Sequence, residues 1–386
     1  MTRSPETRPV MTEAELLDRL RLARTDGVGP VTYRRLLQRF STAAEALDAL
    51  PGLASSGGRA ASPVVPTASV AQREMDSVAK LGGRILVLGG PDYPPLLALL
   101  DSAPPVISVL GDVAALGQRA VAMVGARNAS ANGQRMAEIL AADLALAGLI
   151  VVSGMARGID AAAHVGALST GRTIAAIASG IDIAYPAENK ALQKRIGEGG
   201  AVVAEAPFGT APQARHFPRR NRVIAGLALG VVVVEAAPQS GSLITARIAQ
   251  DEGREVFAVP GSPLDPRCRG SNDLIRSGAH LTESAADVLA NLPDHPTRQG
   301  LARSPLFARG QPPGMAEPPP EDFGPVPDLE VVRHRVMELL SYSPTAVDDL
   351  VRRCQFSASA VVAALLELEL AERVEMLPGN QVVLVG

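Results

Sequence analysis

The sequence predicts an α/β protein: a parallel, doubly wound sheet flanked by a small N-terminal helical domain and a C-terminal winged-helix domain. Three features predict it. From residue 84 to about 290, short β-branched runs alternate with helical stretches long enough to cross between parallel strands. Most of those runs are apolar without alternation, which suits strands covered on both faces. On either side the pattern turns mainly helical, set apart by stretches rich in Pro, Ser, Ala and Gly.

Length and composition frame that reading. A chain of 386 residues is too long for one ordinary domain, and 47% apolar content is ample for a core. The 37 basic and 40 acidic side chains leave a net charge of −3, which excludes a histone-like polycation but not a local basic groove. Cys268 and Cys354 are the only cysteines, so neither a disulfide framework nor a multi-cysteine metal site can be built. No apolar run approaches the roughly 20 residues that cross a bilayer. The N-terminus, MTRSPETRPVMTEAELL, lacks a signal-type apolar segment, so a soluble cytoplasmic protein is expected.

In chain order, residues 12–50 read as the helical domain, with Leu16, Leu17, Leu20 and Leu22 near helical spacing. Asp26-Gly27-Val28-Gly29-Pro30 then breaks the helix, and Thr32 is placed to cap a second one over 33–40. A Gly-x-Gly turn between short helices resembles helix-hairpin-helix units, which hold DNA phosphates at a helix N-terminus. So short a motif equally suits a plain helical packing module. Residues 51–70, rich in Pro, Ser, Ala and Gly, read as a linker, and 71–290 as the sheet domain.

Strands are expected at Ile85–Leu88, Val106–Leu110, Val121–Val124, Leu149–Val152, Thr173–Ala178, Ala201–Glu205, Val231–Glu235 and Val256–Val259. Helices are expected at Gly133–Ala147, Ile159–Leu168, Lys190–Glu198, Asn221–Leu229 and Ser242–Glu252. Residues 291–327 hold ten prolines and few large apolars, the composition of a flexible tether. Residues 328–386 give three helices (329–340, 347–354, 358–370) and a hairpin around Pro378-Gly379-Asn380, the outline of a winged helix. Its third helix carries Glu367 and Glu369 and no Lys or Arg. That favours protein contact or dimer packing over DNA reading.

Ligands of a doubly wound sheet bind outside the C-terminal strand ends, where helix N-termini present free amides. Four such ends here are rich in glycine and small hydroxyl residues. In the first, Gly125, Arg127, Asn128 and Ser130 open a helix; the glycine admits an anion and Arg127 offers a charged fork. A tight turn with a solvated arginine is the plainer alternative. The second carries Ser153, Gly154 and Gly158, the third Gly180 and Asp182, the fourth Ser240 and Gly241. None is a dinucleotide Gly-x-Gly-x-x-Gly, a P-loop or a nucleophile elbow. The five histidines show no metal-ligand spacing, and His164 suits core packing better than a ligand role.

The densest signal is Arg215-His216-Phe217-Pro218-Arg219-Arg220-Asn221-Arg222: four arginines and an aromatic in eight residues of a chain only 3% aromatic. Phosphates call for arginine forks and an unstacked base for a flat side chain. Asn221 is placed to read a base edge or to cap a helix. A solvated loop with Phe217 buried is the bland reading. A single nucleotide needs one anion-binding turn, whereas several in a row suggest a polyanion across the strand ends.

These segments resemble the DprA/Smf family of DNA-processing proteins of natural transformation. The matching pieces are DYPPLL (92–97), PPVISVLG (104–111), GAR (125–127), SGMARGID (153–160), SGID…YP…N (179–189), FPRRNRVIAGL (217–227), GSLITA (241–246) and VPGS (259–262). The N-terminal domain is similar to the family's SAM-like domain and the C-terminal one to its winged helix. The resemblance implies an extended Rossmann-like domain and a binding protein that is not an enzyme and needs no cofactor or metal. Such a protein holds incoming single-stranded DNA, forms a homodimer, loads the recombinase RecA and displaces single-strand-binding protein. Arg127 would grip a phosphate; Phe217, Arg220, Asn221 and Arg222 would line the groove; Ser153, Gly154, Gly158 and Gly180 would shape its floor. Two lysine positions of many members hold Ala187 and Ala214 here, leaving Lys190, Lys194, Arg215 and Arg219 as the nearest cations. Ile275 and Leu281 fall where members dimerise and meet RecA, and suit a buried core equally well. The alternative is a nucleotide-processing enzyme of the lysine-decarboxylase-like phosphoribohydrolase type, with Asp160, Asp182 or Glu235 as its acid. A purely structural adaptor leaves the arginine cluster unexplained.

Overall fold

Thr12 sets the first element. Its hydroxyl accepts the Glu15 amide at 3.2 Å, and α1 (Glu13–Ala23) buries Leu20 and Leu22. In α2 (Pro30–Arg39) the cap is Gly29, and Pro30 occupies the first turn, where its fixed φ and missing N–H suit a helix start. The expected cap, Thr32, therefore lies inside the helix and is fully buried. Thr42 caps α3 (Ala43–Ser56), which continues through Pro51. The linker expected at 51–70 is thus shorter at both ends. Leu53 and Ala54 bury apolar surface and hold the helix past the proline, while α4 (Ala68–Lys80) begins before the expected boundary.

The structure is a computed structural model that describes residues 11–58, 62–294, 329–377 and 379–385, and the chain divides into two units. One, residues 73–307, carries β1 (Gly83–Val87), α5 (Pro95–Ala98), β2 (Val106–Gly111), β3 (Ala120–Val124), α6 (Ala131–Leu146), β4 (Ile150–Ser153) and α7 (Ile159–Thr170). There follow β5 (Thr173–Ile177), α8 (Lys190–Gly199), β6 (Ala201–Ala204), α9 (His216–Gly226), β7 (Gly230–Val233), α10 (Gly241–Asp251), β8 (Glu255–Ala258), α11 (Arg269–Arg276), β9 (His280–Leu281) and α12 (Ala285–Asn291). Among the described residues these strands form one nine-stranded sheet, ordered β1-β2-β6-β5-β4-β3-β7-β8-β9.

From β6 to β9 neighbours are parallel, whereas β1 pairs antiparallel with β2, and β2 with β6. The wholly parallel expectation fails at this edge because the chain between β1 and β2 holds only α5, no crossover helix. Alternate residues of each central strand feed opposite cores. Val121 and Met123 pack with α6 and α7, while Ala120, Ala122 and Val124 pack with α9 and α10. Burial on both faces is why these strands read as unbroken apolar runs. The chain winds outward from β3 through β4 and β5 on one side, then through β7 and β8 on the other, so the switch point lies between β3 and β7. Asn291 ends α12 and Leu292 is buried, so these first residues of the tether expected at 291–327 belong to the sheet domain; from 295 onward that tether lies outside the described residues.

The winged helix follows the expected outline: α13 (Leu329–Leu339), α14 (Val347–Cys354), α15 (Ala358–Leu370), β11 (Val374–Leu377) and β12 (Gln381–Leu384), with β10 (Thr345–Ala346) completing a three-stranded sheet. It belongs to the same unit as α1 to α3. One face of α15 (Val361, Ala364, Leu365, Leu368) enters the winged-helix core. The other packs on α2 and α3, with Leu366, Glu367, Leu370 and Ala371 buried and Gly57 set against the Glu367 carbonyl. Arg333 pairs with Glu367, and Arg35 lies beside Glu369. Burial pushes the Glu369 carboxyl up and the Arg35 guanidinium down, each opposed by the other's charge. The helix without cations has a protein partner within its own chain.

Candidate nucleic-acid interface

The switch point opens into a cleft of about 650 Å³. One wall is the β3–α6 turn, Gly125 to Asn128; the opposite wall is the β7–α10 turn, including Gln239, Ser240 and Gly241; α9 supplies Phe217, Arg220 and Asn221. Two turns and a helix distant in sequence meet here because β3 and β7 are neighbours whose chains leave toward opposite faces.

The arginine-rich segment is helical from His216, not a loop running into a helix at Asn221. Helical geometry decides the fate of each side chain. Phe217 is half-buried on the cleft side, with the Arg127 guanidinium 5.2 Å and the Arg220 guanidinium 5.8 Å from its ring centre. The ring of Tyr185, itself 47% exposed, meets Phe217 edge-on at 6.0 Å. Asn221 is buried mid-helix and donates to the Gly241 carbonyl at 3.4 Å, tying α9 to α10 instead of capping. Arg215 and Arg219 are exposed beside the cleft helix without lining the cleft.

Arg220 is not a surface cation. It is 6% exposed, donates to the Gly154 carbonyl and stands 3.8 Å from Asp160, which also accepts the Ala156 amide at 3.2 Å. Burial raises the Asp160 carboxyl above its ordinary value, with Arg220 pulling it back; burial lowers the Arg220 guanidinium, with Asp160 opposing. The pair forms the cleft floor, and Gly154 leaves the space its guanidinium fills. Ser153 is fully buried and donates to the Met123 carbonyl at 2.6 Å, so it stitches β4 to β3. Gly158 caps α7 with φ +74, a backbone that favours glycine. Asn189 holds this turn from outside, donating to the Met155 carbonyl at 2.9 Å.

The first glycine turn is also more self-contained than its sequence suggests. Ser130 caps α6, accepting the Gly133 amide at 2.9 Å, and its own amide donates to Glu235 at 2.9 Å. Gly125 is packed against Ile159, so its missing side chain serves the fold. Arg127 and Asn128 remain exposed at the rim. At the fourth turn Ser240 caps α10, and Gly241 faces open space.

Several expected residues lie elsewhere. Gly180 is buried beneath residues 207–210, where Asp182 accepts the Gly209 amide at 2.8 Å. One Arg222 guanidinium nitrogen donates to both Glu205 carboxylate oxygens, at 2.8 and 2.9 Å, so its charge is already answered. Lys190 and Lys194 are exposed on α8 outside the cleft lining, and Lys194 lies 3.9 Å from Glu198. Ile275 packs half-buried against the main core, whereas Leu281 on the edge strand β9 is 49% exposed. Sequence reasoning missed Arg267 among the cleft residues; it placed Gln239 in the fourth turn and Tyr185 after the third without choosing either as a site residue. Tyr185 carried a signal, being one of few aromatics within a Tyr-Pro turn.

His164 is a core residue, as its setting in an alanine-rich helix suggested. Its Nδ1 lies 2.7 Å from the Thr173 hydroxyl, which donates onward to the Val151 carbonyl, so the ring must supply the proton. Burial lowers its pKa to about 3. Among the described residues no group of three His, Cys, Asp or Glu is placed to hold a metal ion, and no helix is long and apolar enough to cross a membrane.

Comparison with known proteins matches this architecture piece by piece. The family model for DNA recombination-mediator protein A matches residues 84–293, that for the DprA-like N-terminal HHH domain 13–77, and that for the DprA winged helix domain 317–380. Protein Smf of Synechocystis sp. is 34% identical over 385 residues, spanning 92% of this chain and 94% of its own. DNA processing protein DprA of Streptococcus pneumoniae is 46% identical over 199 residues, or 51% of this chain and 70% of its own. The X-ray structure of the S. pneumoniae protein superposes with a TM-score of 0.61 at 36% identity, over 74% of this chain and 100% of that one. A structure of DNA processing protein A from Helicobacter pylori, described for its single-stranded DNA binding mode, superposes with a TM-score of 0.50 at 28% identity, over 54% and 95%. Matched through its sheet domain and along nearly the whole length of a relative, the chain belongs to the DNA recombination-mediator protein A family, DprA/Smf.

Proposed function

We propose that this chain is a single-stranded DNA-binding recombination mediator, which protects incoming DNA and loads RecA during natural transformation, and which catalyses no reaction. One observation carries the reading: Phe217 lies within cation–π range of Arg127 and Arg220 at the switch-point cleft. A flat ring beside guanidinium groups suits an unstacked base next to its phosphate. The relative from H. pylori is described as binding single-stranded DNA, which supports the same ligand here.

Within that reading Arg127, Asn128, Phe217, Ser240 and Gly241 touch the strand, and Asn221 ties α9 to the start of α10. Arg215, Arg219, Lys190 and Lys194 would track phosphates leaving the cleft. Gly125, Ser130, Ser153, Gly154, Gly158 and Gly180 shape the backbone around it, with Arg220 as the floor and Arg222 braced by Glu205. Leu281, exposed on β9, with Ile275 behind it, is the proposed homodimer and RecA surface. Residues 71–290, carried on through the end of α12 to Leu292, form the proposed DNA-binding domain.

The nucleotide-processing alternative needs a carboxylate free to act on a substrate. Asp160 is committed to Arg220, Asp182 to the Gly209 amide and Glu235 to Ser130. A mobility-shift comparison of single-stranded and duplex DNA at fixed low salt tests the binding reading. Retained affinity for single strands in the Arg127→Ala, Phe217→Ala double variant would refute it.

A further inference from the structure

A Rossmann-type sheet holds a nucleotide phosphate where its first strand turns into its first helix, beside the switch point and against the helix amides. In this chain that place is the N-terminus of α6, reached from β3. It is filled from within. Glu235 leaves β7 two residues past its end, and its carboxylate takes the Ser130 amide at 2.9 Å on one oxygen and the Ser130 hydroxyl at 2.5 Å on the other. Ser130 passes the contact on by accepting the Gly133 amide. Gly133 has no side chain because the carboxylate already stands there: a Cβ would lie 2.5 to 2.8 Å from its carbon and both oxygens. Glu235 is 6% exposed, so this is a built arrangement and not a surface contact.

We propose that Glu235 is a resident anion, occupying the phosphate subsite of α6 and making the cleft refuse free nucleotides and terminal phosphate groups. The positive end of a helix favours an anion, and a second anion brought to the Ser130 amide meets like charge at contact distance. A mononucleotide, whose phosphate is its principal handle, loses its natural seat. A polynucleotide does not need that seat, because its contacts spread over Arg127, Phe217 and the α10 turn. That the cleft's own ligand is a polynucleotide rests on the function proposed above; the exclusion of phosphate by Glu235 stands separately.

The test uses the full chain as wild type, Glu235→Gln and Glu235→Ala. Glutamine keeps the volume and removes the charge; alanine removes both. Each is titrated calorimetrically with inorganic phosphate and with AMP, and in parallel by fluorescence anisotropy with a labelled oligothymidylate. Thermal unfolding of each variant shows that it is folded. The wild type should give no heat with phosphate or AMP in the millimolar range. Glu235→Ala should bind both at least roughly tenfold more tightly, and AMP should compete with oligothymidylate only in the variants. Wild-type binding of AMP as tight as the variants', or folded variants that gain nothing, overturns the proposal. Should alanine not fold, glutamine decides the charge question alone. Failure of the wild type to bind oligothymidylate would strike the proposed function and leave the phosphate result standing.

Discussion

The Arg127 guanidinium stands 5.2 Å from the centre of the Phe217 ring, although the two residues come from different elements, the β3–α6 turn and α9. Arg220, one turn of α9 further on, stands 5.8 Å from the same ring. Arg127 is the exposed member and Arg220 the buried one, so one aromatic separates a solvent-facing cation from a structural one.

That division predicts different defects. Arg127→Ala should weaken single-strand binding about tenfold and flatten its salt dependence, because a phosphate contact with its counterion release is lost. Phe217→Ala should weaken binding by a similar factor with the salt slope unchanged, because a base contact is lost. Arg127→Lys should fall between wild type and alanine, since lysine keeps charge but not the planar fork. Anisotropy titrations across a salt series read all three.

Arg220→Ala should act on stability first. It leaves the Asp160 carboxylate buried without its cation, and breaking a buried pair typically costs about 3–5 kcal/mol. Urea unfolding should show the loss, and Asp160→Asn in the same chain should recover part of it by removing the stranded charge. Equal midpoints for Arg220→Ala and wild type would mean the pair holds nothing.

His164 predicts a pH effect. Its folded pKa, lowered to about 3 by burial, lies below the ordinary histidine value, so between the two the unfolded chain binds the proton and the folded chain does not. The stability contributed is fully present above about pH 6.5 and falls with acid at about 1.4 kcal/mol per pH unit for one proton. His164→Leu should remove one proton's worth of that slope in unfolding experiments run from neutral pH down to pH 4 or so.

Gly57 predicts what joins the helical domain to the winged helix. A side chain there would strike the Glu367 carbonyl and the Ala371 methyl, backbone and core atoms that cannot swing aside. Gly57→Val should loosen α3 from α15 and speed amide exchange over 366–371, while exchange in the nine-stranded sheet stays as it was. Unchanged protection on α15 would show that the contact is not needed to hold the helix.

Much of this was legible in the chain itself. The eight expected strands fall within two residues of those observed, because a strand buried on both faces must be apolar throughout and carries its own outline. The arginine-rich segment marked where Phe217 and Arg220 come together, and the cation-poor α15 packs on α2 and α3 of its own chain. What misled was local reading of polar residues. Ser153 and Gly154 look like a ligand turn, yet serve the Met123 carbonyl and the Arg220 side chain. Arg222 reads as a phosphate fork until Glu205 is found across from it.

By itself the sequence determined the order of elements, the two-faced core and the place along the chain where charge and aromatic surface gather. These follow from hydrophobic periodicity, turn chemistry and composition, all of which act between near neighbours. Only the tertiary structure decided which cation stays in solvent, which is sealed beside Asp160, and which helix N-terminus is already answered by Glu235. Those outcomes depend on carboxylates brought in from distant strands, and a charge is free or spent according to its neighbours in space, which no local pattern records.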